Sequence, residues 1–227
     1  MDSKFPARLL SRASLVVVAI VFFMVGAVGA KKLYAAFVEK PKTFTTVQLF
    51  PQPKPMPGVM LRTAEGEAFP RDKFIGQWTL LFFGFTSCPD FCPMELHKLS
   101  RVLTYAEQEG ARVNIIFVTL DPERDSAEQL GKYVKFFHPR IIGLRGDNPA
   151  IANLARFFGA GYERSAIINN KHIDIPAGAP MPLIAGDQYQ VNHSTRIFLI
   201  DPEAQYVGSV ANPETPEILW GDLQKLF

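Results

Sequence analysis

The chain has two cysteines, Cys88 and Cys92, and only three residues separate them. They follow the apolar run 79–85, which predicts a buried strand. Thiolates are soft nucleophiles and soft metal ligands, so a pair this close indicates a redox couple, a metal site, or both. A structural disulfide is the other interpretation, but a bridge across three residues removes little entropy from the unfolded chain and would stabilise little.

Prolines shape the segment around the two cysteines. Pro89 and Pro93 each disfavour the α conformation for the cysteine before them. Pro93 suits the first position of a helix predicted over 93–108, with Cys92 as its N-cap. The positive end of that helix favours a thiolate, so we expect the pKa of Cys92 to be lowered.

Strands and helices alternate through the rest of the folded part. Apolar runs predict strands over 59–62, 78–85, 113–120, 141–144, 195–200 and 205–210. Helical periodicity predicts helices over 93–108, 125–137, 148–158 and 216–226. Asp125 is expected to cap the second of these helices, with Glu128 completing a capping box. The segment 161–194 is expected to be irregular.

This order predicts an α/β fold with a mixed central sheet flanked by helices. The cysteines stand where the first central strand ends and its helix begins. Ligand-binding groups of open α/β sheets gather at the carboxyl ends of strands. The arrangement is similar to the thioredoxin fold, in which a redox pair occupies the same strand-to-helix turn.

The N-terminal residues predict a membrane anchor. Residues 13–30 carry no charge and reach the lower end of the length that crosses a bilayer, about 17 to 25 residues. Lys4, Arg8 and Arg12 precede them, which predicts a cytoplasmic segment 1–12 and a C-terminal domain in the periplasm, at the inner membrane. A cleaved signal peptide ending near 28–30 is the alternative.

A proline-rich linker is expected over 31–57, because prolines at 41, 51, 53, 55 and 57 favour extended backbone. The domain proper is then 58–227, long enough for one hydrophobic core. Residues 41–227 hold 18 basic and 20 acidic residues, a net charge of −2. The folded part is therefore not basic overall, and its composition gives no indication of nucleic-acid binding.

Two thiolates leave a bound metal in need of further ligands, and the chain offers four histidines. His193 stands immediately before the strand predicted over 195–200. In a thioredoxin-like fold the segment entering this strand faces the redox turn, so His193 is the candidate ligand. His97, His138 and His172 are expected in surface or structural roles.

Three segments together resemble the Sco/SenC family of membrane-anchored copper chaperones of cytochrome c oxidase assembly. They are Leu-Phe-Phe-Gly-Phe-Thr-Ser-Cys-Pro-Asp-Phe-Cys-Pro (81–93), Val-Thr-Leu-Asp-Pro-Glu-Arg-Asp (118–125), and Val-Asn-His-Ser (191–194) followed by Ile-Phe-Leu-Ile-Asp-Pro (197–202). They occur in the family's order across most of 58–227. The anchor and the linker also fit the family's layout.

The resemblance implies that Cys88, Cys92 and His193 bind one copper ion, as Cu(I) or Cu(II). Asp121 matches an acidic residue of the family near that site. The alternative interpretation is that Asp121 only caps the turn that follows it. Family members serve the dinuclear copper site of oxidase subunit II, which implies that subunit, an upstream copper donor and a thiol reductant as partners. The family commonly has Asp where this chain has Asn192, and a neutral neighbour would alter the orientation of the imidazole.

The segment 161–190 looks long for the family. It contains His172 and Met181, which are possible further ligands, although a covering loop is the favoured interpretation. Met94, near the start of the predicted helix, is expected to pack rather than bind metal.

Other functions use the same cysteines differently. A thiol–disulfide reductase acting on oxidase cysteines needs both thiols but not His193. A copper chaperone, which is not an enzyme, needs the histidine as well. The role of His193 therefore distinguishes the two functions. A peroxidase with Thr86 and Arg196 beside one reactive cysteine fits the paired prolines poorly. If the protein were only a structural anchor, replacing both cysteines would have no effect on oxidase assembly.

Overall fold

The computed structural model describes residues 12–37, 42–58, 60–211 and 213–227, which fall into two units divided between Thr43 and Phe44. The predicted cytoplasmic segment, with Lys4 and Arg8, lies largely outside the described residues. So does Val59 of the first predicted strand.

The first unit contains helix α1, Arg12–Phe37, which includes the predicted anchor. Apolar side chains from Val16 to Val28 are exposed along it. Among the described residues, no helix combines the length and apolarity that crossing a bilayer needs.

The second unit alternates strands and helices. Its strands are β1 Val47–Pro55, β2 Leu61–Thr63, β3 Ala68–Phe69, β4 Trp78–Gly84, β5 Val113–Thr119, β6 Ile141–Arg145, β7 Tyr162–Ile168, β8 Lys171–Ile175, β9 Tyr189–His193, β10 Ile197–Ile200 and β11 Gln205–Val210. Its α-helices are α2 Phe91–Glu109, α3 Ala127–Phe137, α4 Asn148–Phe158 and α5 Pro216–Leu223. Short 3-10 helices cover Arg71–Phe74 and Leu183–Ala185.

Within the described residues, eight strands form one sheet in the order β1-β11-β10-β4-β5-β6-β2-β3. Strands β4, β5 and β6 are parallel, and the remaining neighbours pair antiparallel. The predicted mixed central sheet is therefore confirmed, with β4 in its middle. A second sheet has the order β8-β7-β9.

Alternate residues of β4 face two hydrophobic cores. Leu80 and Phe82 pack in the core that includes α2, α3 and α5. Leu81 and Phe83 pack in the core formed with α4 and the second sheet. Because both faces of β4 are covered, its sequence is continuously apolar rather than alternating.

The predicted linker is partly wrong, because its residues 47–55 form strand β1. This strand pairs antiparallel with β11 at the edge of the sheet. Proline cannot donate to a β ladder but is tolerated on edge strands. In the part of the chain that the structure describes, β1 has a neighbouring strand on one side only. Proline content alone therefore did not indicate a tether here.

The segment expected to be irregular, 161–194, forms strands β7, β8 and β9. The hairpin between β7 and β8 turns at Asn169 and Asn170, both of which have positive φ, 50° and 61°. Asparagine tolerates this conformation, and tight hairpin turns require it. The pairing of β7 with β9 places Tyr162 opposite His193.

Asp222 of α5 fastens the start of the domain. Its carboxylate accepts hydrogen bonds from the backbone N–H groups of Thr45, Thr46 and Val47 at 2.6 to 3.2 Å. Burial alone would raise the pKa of Asp222, but hydrogen bonds from Lys225 and these amides outweigh it and lower that pKa.

Replacing Asp222 with Ala should destabilise the domain by about 1 to 3 kcal/mol, because the amides before β1 would lose their acceptor. Urea unfolding measures the loss, and hydrogen exchange at Val47 localises it to β1. The exposed Asp72→Ala variant serves as the control. Because the pKa of Asp222 is lowered on folding, the advantage of the wild type should shrink as the pH falls below about 4. A difference that is independent of pH would contradict this assignment.

Candidate metal centre

The cysteine turn, residues 85–92, begins where β4 ends. Helix α2 begins at Phe91 with Asp90 as its N-cap, so Cys92 lies in the first helical turn and does not cap the helix. The predicted helix start at Pro93 is thus two residues late. The turn brings the cysteines together: the backbone N of Cys92 lies 3.4 Å from Sγ of Cys88, and both are free thiols.

Burial sets the protonation of Cys92. Its side chain is fully buried, whereas Cys88 is half-buried. Removal from water disfavours a thiolate, and burial raises the pKa of Cys92. The expectation of a lowered pKa, which considered only the start of the helix, is therefore wrong.

Gly84, the last residue of β4, gives the sulfur of Cys92 its space. A Cβ at this position would lie 2.6 Å from the ring of Phe117 and 2.8 Å from Sγ of Cys92. Both distances are shorter than real contacts allow. The glycine in the run Phe-Phe-Gly-Phe was the sequence signal for this close approach.

His193 reaches the cysteine turn from the end of β9. Its Nε2 lies 3.6 Å from Sγ of Cys92, and its Nδ1 lies 2.9 Å from the carbonyl oxygen of Ser194. Since a carbonyl only accepts, Nδ1 carries the proton and the lone pair of Nε2 faces the sulfur. Phe82 and Phe85 flank the imidazole with centroid distances of 6.1 and 5.8 Å. Burial lowers the pKa of His193 and favours the neutral ring.

The candidate ligand atoms of Cys88, Cys92 and His193 all lie within 4.8 Å of one another. Bonds of about 2.0 to 2.3 Å to a shared metal place its ligands about 3 to 4 Å apart. The three residues thus fit one metal ion after small side-chain adjustments. Among the described residues, this is the only group of its kind that could hold a metal.

Asp121 and Asn192, both predicted beside the site, contact other groups. The carboxylate of Asp121 is fully buried and accepts hydrogen bonds from Arg124 and from the hydroxyl of Tyr189. The amide of Asn192 donates to Glu163 at 3.4 Å. Asn192 was predicted to influence the orientation of the His193 imidazole, but the hydrogen bond of Nδ1 of His193 is made with the carbonyl of Ser194 and not with Asn192.

Among the described residues, the remaining histidines are not part of the Cys-Cys-His group. His138 pairs with Glu107, and His172 pairs with Asp174. His97 is exposed on α2. Met181 is buried in the core that includes the second sheet.

Asp125 has a different role from the predicted helix cap. Helix α3 is capped by Ser126, and Gln129 rather than Glu128 completes the capping box. Asp125 is buried and accepts from the backbone N of Thr86 at 3.0 Å and from its hydroxyl at 2.6 Å. From the sequence alone, Asp125 and the adjacent Ser126 were equally suitable N-caps for this helix.

The fold and the site together define a thioredoxin-like domain with a Cys-Cys-His group able to bind a metal. The SCO1/SenC family model matches residues 59–227, and the chain belongs to this family.

The SCO2-like protein of Rickettsia prowazekii is 34% identical over 142 residues, 63% of this chain and 62% of that protein. The mitochondrial SCO2 homolog of Homo sapiens is 37% identical over 143 residues, 62% of this chain and 48% of that protein. The match thus spans between about half and just under two-thirds of these relatives. The crystal structure of Arabidopsis thaliana ScoI with copper bound has 31% identity and a TM-score of 0.62, covering 74% of this chain and 95% of that one.

Without metal, the imidazole of His193 should titrate below its ordinary pKa of about 6.5, because burial disfavours the imidazolium ion. The unfolded chain then binds the proton more readily, so this histidine should lower stability as the pH falls below about 6.5. NMR titration of the ring protons measures the shift, with the urea-unfolded chain as reference. A midpoint at or above that of the unfolded chain would contradict the burial argument.

Proposed function

We propose that the chain is a metallochaperone that binds one copper ion through Cys88, Cys92 and His193. The convergence of their donor atoms within 4.8 Å carries the proposal. Two soft sulfurs and one borderline nitrogen favour copper over hard cations. The copper-bound relative from Arabidopsis thaliana supports the choice of metal.

The three ligands suit Cu(I), which accepts three-coordinate sulfur and nitrogen sites, and additional nitrogen or oxygen ligands would suit Cu(II). Cys92 is buried, whereas Cys88 and His193 are half-buried. Thiols of a partner would therefore reach the cargo from the side of Cys88 and His193. Transfer would proceed by exchange of one ligand at a time.

Binding of the cargo couples to loss of thiol protons. Burial holds Cys92 protonated, so a metal must displace that proton, whereas neutral His193 offers its lone pair directly. Copper affinity should therefore fall with falling pH.

The proposed recipient is the dinuclear copper site of cytochrome c oxidase subunit II. The family's part in cytochrome c oxidase assembly supports an oxidase partner. An upstream copper donor and a thiol reductant complete the cycle, because an oxidised pair cannot bind Cu(I).

Attachment to the inner membrane is part of the proposal. The uncharged residues 13–30, the basic residues before them and the exposed apolar side chains between Val16 and Val28 support an anchor. The domain would begin near Phe44 and face the periplasm.

His193→Ala should raise the dissociation constant for copper by at least about tenfold, because it removes one of three ligands. Cys88→Ser combined with Cys92→Ser should abolish binding. Competition titration of the reduced full chain measures affinity, and X-ray absorption counts the sulfur and nitrogen ligands.

The exposed His97→Ala variant is the matched control and should bind like the wild type. Unchanged affinity and unchanged nitrogen ligation in His193→Ala would refute the ligand assignment.

A thiol–disulfide reductase that keeps the oxidase cysteines reduced is the second candidate. The approach of the Cys92 backbone to Sγ of Cys88 favours it, because the two thiols are already neighbours. This function does not need His193. A strongly reducing Cys88–Cys92 pair together with full activity of His193→Ala would favour the reductase over the chaperone.

Deleting residues 13–30 should release the protein from the membrane fraction, because the apolar segment would be lost. Fractionation of cells that express the full chain and the deletion variant measures this, with alkaline carbonate washing to remove peripheral proteins. Retention of the deletion variant in the washed membranes would contradict the anchor.

A further inference from the structure

The β5–α3 loop, residues 121–125, consists mostly of charged residues. Its sequence is Asp-Pro-Glu-Arg-Asp, and the side chains of both aspartates are fully buried. Buried carboxylates persist only where hydrogen bonds or counter-charges satisfy them. Their partners indicate what the loop holds in place.

One end of the loop holds the cysteine turn. Besides its two hydrogen bonds from Thr86, Asp125 accepts from the hydroxyl of Thr119 at 2.5 Å. Thr86 lies two residues before Cys88, whose backbone N donates to the carbonyl of Phe85 at 3.3 Å. Asp125 thereby fixes the chain just before the first thiol.

The other part of the loop holds strand β9. The guanidinium of Arg124 donates to the carbonyls of Asp187 and Tyr189 at 3.2 and 3.1 Å. It also stacks on the ring of Tyr189, with Cζ 3.9 Å from the centroid. Asp121 fixes both partners, because it accepts from Arg124 and from the hydroxyl of Tyr189. Tyr189 begins the strand that ends at His193.

A second ion pair ties the same loop to the neighbouring strand. Glu123 pairs with Arg164 of β7 at 2.9 Å, and the side chain of Arg164 is fully buried. Arg164 stands opposite Val191 of β9. Strand β9 has β7 as its strand partner within the described residues, so the loop holds β9 directly and through that partner.

We propose that the β5–α3 loop is a positioning element that sets the distance between the thiols and the imidazole. Asp125 places the cysteine turn, and Arg124 with Asp121 places β9 and therefore His193. These two sets of contacts, the two arms of the loop, both start from the same five-residue segment. The cysteine turn and His193 are therefore held by one common support. The metal-dependent part of this inference rests on the proposed function.

The two arms are separable by mutation. Arg124→Lys keeps the charge beside Asp121 but loses the planar guanidinium, whose Nε donates to Asp121 while its Nη1 donates to both carbonyls. Tyr189→Phe removes only the hydroxyl that donates to Asp121. Asp125→Asn keeps the shape of the side chain but loses one of its acceptor oxygens.

Two readouts on the full chain distinguish the arms. For Arg124→Lys and Tyr189→Phe, we expect weaker nitrogen ligation in the X-ray absorption and electron paramagnetic resonance spectra of the copper-loaded protein. Copper affinity should fall about tenfold, and the NMR signals of the His193 ring in the metal-free protein should shift. The reduction potential of Cys88 and Cys92 should stay as in the wild type.

For Asp125→Asn we expect the opposite pattern. The dithiol–disulfide equilibrium with glutathione should change about tenfold, which corresponds to about 30 mV, while the ring signals of His193 change little. Arg140→Lys and Asp222→Asn are matched controls, because Arg140 also holds a carbonyl and Asp222 is also a buried carboxylate, both with partners outside the site. Both controls should leave all site readouts unchanged.

The inference is overturned if Arg124→Lys and Tyr189→Phe fold but keep the wild-type nitrogen ligation and His193 ring signals. It is also overturned if the two controls change the site as much as the loop variants do. If the wild type itself shows no nitrogen ligation to copper, the proposed function fails, and the ring signals and the thiol potential of the metal-free protein still decide the positioning role.

Discussion

Strand β4 ends between two neighbours that run in opposite directions. Strand β10 runs antiparallel to it, with Ile197 opposite Phe82, and β5 runs parallel to it, with Thr119 beside Gly84. The chain entering β10 and the chain leaving β5 therefore arrive at the end of the sheet where the cysteine turn begins. This constraint brings His193 to Cys92 across 101 residues of sequence, and it places the β5–α3 loop next to both.

Burial at this end of the sheet has one electrostatic consequence for both kinds of ligand. It disfavours the thiolate of Cys92 and the imidazolium of His193, so both of these ligands favour their neutral form before metal binds. A soft cation then gains a ready nitrogen donor but must displace thiol protons. The pH dependence of binding should therefore come from the sulfurs rather than from the imidazole.

Local sequence patterns predicted the elements that carry the site. Continuous apolar runs identified β4 and β5, and the order of strands placed His193 opposite the cysteines. The same patterns missed β7, β8 and β9, because these strands are partly exposed and the connection between β8 and β9 contains Pro176, Pro180 and Pro182. The pair Asn169-Asn170 was the usable signal, since successive asparagines at positive φ form a tight hairpin turn.

The contacts of the β5–α3 loop were beyond local patterns, because their partners are distant in sequence. Asp125 and Thr86 are separated by 39 residues, and Arg124 contacts the carbonyl of Tyr189 across 65. Buried ion pairs contribute little net stability, since the cost of removing charges from water offsets their attraction. Arg124 instead contributes geometric specificity, because its rigid, planar set of donors fits one arrangement of acceptors. A buried charged loop is therefore better explained by the geometry it imposes on the thiols and the imidazole than by stabilisation of the fold.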